Sequence, residues 1–223
     1  MKKLLKKLEG ENLEEVKEEV KEKEEEKDVG MTEQEFMELI IDEINHKTLN
    51  LVGSFDEKMV AYVREFANNL WYYEKDETRP LYINISSHGG FASALLAILD
   101  ILQDLKNEWD CTIITNCNGY AESCGFILWC FGDVREMGEF GELMVHEIAY
   151  NYDDKISGHE RELKRTKKMQ DKINKIIMMK THLTKKQLNK WYKEGDKFID
   201  KEEARKLGLI AEEEDEGEEI EDK

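Results

Sequence analysis

Twice in this chain a short run of β-branched and aromatic residues leads through a glycine-containing turn into a helix, and that order restricts the fold more than any other feature. The first instance is Leu81-Tyr82-Ile83-Asn84-Ile85, a strand by composition behind Pro80, the single proline. It is followed by Ser86-Ser87-His88-Gly89-Gly90, and then by Ala94, Leu95, Ile98, Leu99, Leu102 and Leu105 at helical spacing. The second instance reads as a strand over Thr112–Thr115, a turn over Asn116–Glu122 and a helix over Ser123–Phe131 too apolar to face water. Strand, turn and helix in series are what a parallel sheet requires, because parallel neighbours must be joined by a crossover.

The rest of the chain agrees. Leu49–Val52 reads as a short strand, and Glu57–Tyr72 as a helix with Met59, Val60, Val63, Phe66, Ala67 and Leu70 on one face. Val134–Met137 and Leu143–Ile148 read as two further strands. A long polar helix is expected from about Ser157 to Thr181, its apolar stripe reduced to Leu163, Met169, Ile173, Ile176 and Ile177. The fold class is therefore α/β, with a largely parallel sheet and no internal repeat.

Charge sets the boundaries. Residues 1 to 28 carry 8 lysines and 11 acids, and residues 212 to 223 carry 9 acids and one lysine. The intervening segment holds almost all the aromatics. Four segments follow: a charged arm over 1–30, helical or disordered; a helical lead-in over 31–47; the core domain over 48–211; and an acidic, disordered tail over 212–223. A net charge of −18 repels phosphate backbones, and no basic face is visible, so nucleic acid is not an expected partner. There is no run of 18 apolar residues to span a bilayer, and lysines interrupt the N-terminus where a signal core would lie. A cytoplasmic protein with no membrane partner is expected.

Metal chemistry finds little support. Cys111, Cys117, Cys124 and Cys130 show no C-x-x-C spacing, and neither His146-Glu147 nor His159-Glu160 extends to H-E-x-x-H. Buried, reduced thiols are expected, with no metal and no cofactor.

The turns after parallel strands gather at one sheet edge, where reacting groups converge. One holds Gly89-Gly90; the other runs Gly119-Tyr120-Ala121-Glu122-Ser123-Cys124-Gly125. Ser123 opens the apolar helix, where free N–H groups and the helix dipole favour a developing oxyanion. It could equally be an ordinary N-cap. His146 follows Leu143-Met144-Val145 and reaches the same edge, either as a base or as a satisfied surface group. Asp196, in Glu194-Gly195-Asp196-Lys197-Phe198, could orient that imidazole or be merely a loop acid beside glycine.

Taken in order, these blocks resemble the proteolytic subunit of the Clp protease, a family of self-compartmentalised serine peptidases. The resemblance covers residues 48 to 211. It runs through Leu51-Val52-Gly53-Ser54-Phe55-Asp56, Leu81 to Gly90, Gly119 to Gly125, Met144-Val145-His146-Glu147, Gly195-Asp196-Lys197-Phe198-Ile199-Asp200, Glu203-Ala204 and Gly208-Leu209-Ile210. It implies a fold of repeated β-α units of the type shared with crotonases, with a protruding handle helix over about 157–181. It further implies Ser123 as nucleophile, His146 as general base and Asp196 as the orienting acid. Gly90 and Cys124 would supply the oxyanion N–H groups, and His88 and Gly89 would belong to the substrate-binding strand. As a base His146 must be uncharged, so activity should fall in acid. Peptides or unfolded proteins would be the substrates, in a homo-oligomer of stacked, seven-membered rings. No G-x-x-x-x-G-K-[ST] occurs, so ATP use would belong to a separate unfoldase of the AAA+ type.

The chain departs from the family pattern in places. His88 stands where the family has proline, Glu122 replaces a small residue before the nucleophile, and Glu147 replaces a glutamine. A Glu122 carboxylate pointing into the site would repel acidic substrates and compete for the histidine. The alternatives are a non-catalytic ring subunit, a capsid-maturation peptidase and a crotonase-like acyl-CoA enzyme.

Overall fold

The computed structural model describes residues 47–73, 80–149 and 155–211. The arm over 1–30, the lead-in up to residue 46 and the tail over 212–223 lie outside the described residues. The elements run β1 (Thr48–Phe55), α1 (Glu57–Tyr73), β2 (Leu81–Gly90), α2 (Ala92–Trp109), β3 (Ile113–Glu122), α3 (Cys124–Phe131), β4 (Val134–Met137), β5 (Glu142–Val145), α4 (Ile156–Lys180), α5 (Lys185–Glu194), β6 (Lys197–Asp200) and α6 (Lys201–Lys206). This is the α/β class expected.

One sheet has the order β1-β2-β3-β5-β6, with β4 also paired to β3. The pairs β1/β2, β2/β3, β3/β4 and β3/β5 are parallel; β5/β6 is antiparallel. Alternation along β2 explains the layering: Leu81, Ile83, Ile85 and Ser87 are buried, while Tyr82 and His88 face out. The buried face meets Val63, Phe66, Leu95, Ile98 and Leu102 from α1 and α2 and the whole of α3, whose eight residues are all buried. The opposite face carries an amide ladder in register, with Asn84 Nδ2 2.8 Å from Asn50 Oδ1 and Asn116 Nδ2 3.3 Å from Asn84 Oδ1.

Both strands leading to the site are longer than expected. Strand β2 runs on through Ser86–Gly90, and β3 takes in Asn116–Glu122, which composition marked as a turn. The ladders slip and then resume: Val52↔Ser86 gives way to Ser54↔Gly89, and Ile85↔Cys117 to Ser87↔Ala121. Glycine and serine weaken the strand signal, yet bulges absorb the unpaired residues and pairing continues.

Strands β4 and β5 then divide the far edge of β3. Strand β4 pairs with Ile114–Cys117, and β5 with Tyr120–Glu122. The step between them is a tight turn in which Gly138 N–H donates to Cys117 O (3.0 Å) and Gly141 N–H to Gly138 O (2.9 Å). Strand β5 ends at Val145, earlier than the expected Ile148, so His146 stands just beyond the ladder. Helix α5, strand β6 and helix α6 carry no strong sequence pattern, but local caps define the helices. Thr184 and Gln187 form a capping box on α5, and Asp200 accepts the Glu203 N–H at 2.7 Å on α6.

Candidate active site

Four strand ends place the candidate residues. Strand β3 delivers Ser123, β2 delivers His88, Gly89 and Gly90, β5 delivers His146, and β6 begins one residue after Asp196. Ser123 is tied to its neighbour by its own backbone, its N–H donating to Met144 O at 2.8 Å. His146 lies two residues beyond that carbonyl, and its Nε2 is 2.7 Å from Ser123 Oγ. Nucleophile candidate and base candidate are therefore within proton-transfer reach.

The conformation of Ser123 argues against a simple cap. It occupies the N-cap position of α3 with φ +52° and ψ −111°, and its side chain makes no capping hydrogen bond. A left-handed φ on a residue with a Cβ is costly, and such strain persists where surrounding structure enforces it. Here it turns Oγ away from the helix N–H groups and toward His146. Ser123 is also only partly buried, so substrate can approach it.

The glycine pair explains itself by contact. A Cβ on Gly89 would lie 2.6 Å from Ser123 Cβ, and one on Gly90 would lie 2.5 Å from Phe55 O. Neither position admits a side chain without displacing backbone. Gly89 is thereby packed directly on the serine, while Gly90 remains exposed. Cys124, the other residue expected at the oxyanion site, reaches back to the same strand end, its Sγ–H donating to Gly90 O at 3.3 Å. Burial pushes its thiol up to about 11, so it is uncharged at neutral pH. All four cysteines are free and buried, as expected from composition. No group of three or more His, Cys, Asp or Glu among the described residues could hold a metal ion.

Asp196 is placed but not engaged. The β5/β6 ladder runs Glu142↔Asp200 to Val145↔Lys197, so the next opposed pair would be His146 and Asp196. Directly opposed residues bring their Cβ atoms to roughly 4.5–5.5 Å. The Asp196 side chain nevertheless lies exposed, and among the described residues it makes no hydrogen bond to His146.

Glu122 does not compete for His146. Its Oε2 is 2.8 Å from His88 Nδ1, and the His88 ring stacks on Tyr120 with centroids 4.0 Å apart and planes 13° apart. Two of the three departures from the family pattern, His88 and Glu122, are thus partners. Sequence marked both positions but not their pairing, since 34 residues separate them; Tyr120 was marked only as part of the turn from Gly119 to Gly125, with no role of its own.

A parallel α/β sheet that sets a hydroxyl against an imidazole beside a glycine-lined strand end is an arrangement suited to nucleophilic acyl transfer. Comparison with protein families gives the finer placing: the model for Clp protease matches residues 33–213. The chain belongs to the Clp protease family. Among the described residues no helix is long and apolar enough to cross a membrane.

Proposed function

We propose that this chain is a serine endopeptidase of the Clp type. The observation that carries the reading is the 2.7 Å contact between His146 Nε2 and Ser123 Oγ on a strained, uncapped serine. Neutral His146 takes the hydroxyl proton as Oγ attacks a peptide carbonyl. The proton then passes to the leaving amine, and His146 activates the water that releases the acyl-enzyme. Backbone N–H groups of Gly90 and Cys124 meet the developing oxyanion, and a side-chain rotation from its register position brings Asp196 onto His146 to hold the imidazole. The substrates are peptides, and proteins where a separate ATP-dependent unfoldase feeds a chamber built from stacked rings of this chain, in the cytoplasm.

The exposed Asp196 favours a second reading, a ring subunit that scaffolds active partners without catalysing. One experiment separates the two. A fluorophosphonate should label the wild type at Ser123 and leave Ser123→Ala unlabelled. A folded, assembled wild type that resists labelling would instead support the scaffold.

A further inference from the structure

The strand end that carries Gly89 and Gly90 is paired on one side only: it lies opposite Ser54 and Phe55 of β1, and the Phe91 N–H donates to Phe55 O at 2.8 Å. The last β2/β3 partners are Ser87 and Ala121, so His88, Gly89 and Gly90 continue without a ladder toward β3. Both glycines adopt positive φ, +102° and +150°, and glycine offers little resistance to change there. Yet the acyl-transfer reading requires donors on this segment to keep a fixed distance from Ser123, because a misplacement near 1 Å costs about 10²-fold in rate.

Beside the packing of Gly89 on Ser123, three side-chain contacts cross the gap. Cys124 Sγ–H reaches Gly90 O, His88 stacks on Tyr120, and His88 Nδ1 meets Glu122 Oε2. The last joins the residue before Gly89 to the residue before Ser123, which makes it a direct strut between the two halves of the site. Its acceptor end is well held, since the Glu122 side chain is 15% exposed, whereas the His88 side chain is 72% exposed and contributes little to the core. The bond needs a hydrogen on Nδ1 and an acceptor on residue 122, so either a carboxylate or an amide oxygen can complete it.

We propose that His88 and Glu122 are a positioning pair that sets the Gly89-Gly90 strand end against Ser123. The inference rests on the peptidase reading for its effect on turnover, but the strut itself is testable without activity. Two readouts on the full chain decide it. Hydrogen exchange measured by mass spectrometry should show faster deuterium uptake in the peptide holding Gly89 and Gly90 for Glu122→Ala and for His88→Phe, a change that keeps an aromatic ring on Tyr120. Peptide cleavage should show kcat lowered about tenfold in each with KM within about twofold, a fraction of the loss that follows deleting an oxyanion donor. The double variant should be no worse than the poorer single one. Glu122→Gln, which retains an acceptor, should recover most of what Glu122→Ala loses.

Unchanged uptake in both variants overturns the strut, whether or not the wild type is active. A raised KM with unaltered kcat overturns it in favour of a substrate contact, and additive losses in the double variant overturn the pairing. A wild type that neither labels nor cleaves defeats the peptidase reading alone, and the exchange measurement still decides the strut.

Discussion

At the residue scale the site turns on where a Cβ can and cannot be. Ser123 keeps its side chain at φ +52°, and Gly89 gives up its own because the serine occupies that space. Gly89→Ala should therefore lower kcat by about 10² or more without unfolding the chain, checked by peptide turnover alongside circular dichroism. Asp196 tests a different feature. If it orients the imidazole during turnover, Asp196→Asn should cut kcat by about 10²–10⁴ while fluorophosphonate still reaches Ser123. Equal activity in the two proteins would leave a working serine–histidine pair and no third member. Thiol chemistry should be silent at neutral pH. Burial pushes Cys117 up to about 12 and Cys124 to about 11, so iodoacetamide at pH 7 should spare activity and begin to act only as the pH approaches those values.

At the element scale, Asp133 joins three parts of the chain just before β4. Its Oδ2 accepts the Ile113 N–H of β3 at 3.0 Å and pairs with Lys106 of α2, while its Oδ1 is 3.1 Å from Lys180 of α4. Burial alone would raise the Asp133 carboxyl, but these hydrogen bonds and the lysine charges outweigh it and hold it below the ordinary carboxylate range. A group depressed in the folded state stabilises above its unfolded pKa, near 4 for a carboxylate, and loses that contribution as pH falls through the folded value. Asp133→Asn should thus lower Tm by about 2–6 °C at pH 7 and by much less below pH 3, as thermal melts across pH would show. The neighbouring Arg135 performs a related task, its guanidinium donating to Leu209 O at 2.7 Å and to Lys180 O at 3.0 Å.

For the whole molecule, the informative element is α4. A helix of 25 residues is about 37 Å long, yet only Gly158, Ile173, Asn174 and Ile177 are buried. Ile156 is 81% exposed, and Leu163, in the same first half of the helix, is exposed as well. Under the proposed ring assembly this half packs on another subunit. Light scattering should then give a mass several times the 26.3 kDa of one chain, and Ile156→Asp with Leu163→Asp should reduce it while the subunit stays folded.

Periodicity and composition determined the α/β class, the positions of β1 to α4 and the residues worth testing, because apolar spacing records which face is buried before any tertiary contact exists. Ser123, His146 and the glycine pair were visible as individual residues at strand ends. Their meeting was not, since it depends on β5 taking the second half of the β3 edge, a choice made by the turn at Gly138 and Gly141. Strands β2 and β3 outran their composition for a similar reason: a bulge is stabilised by the neighbour that pairs beyond it, and no local pattern encodes that neighbour. Helix α5 and strand β6 were invisible to periodicity, one being short and polar, the other ordered by β5. Glu122 and His88 found each other only in three dimensions, where the sheet carries two strand ends to within one hydrogen bond.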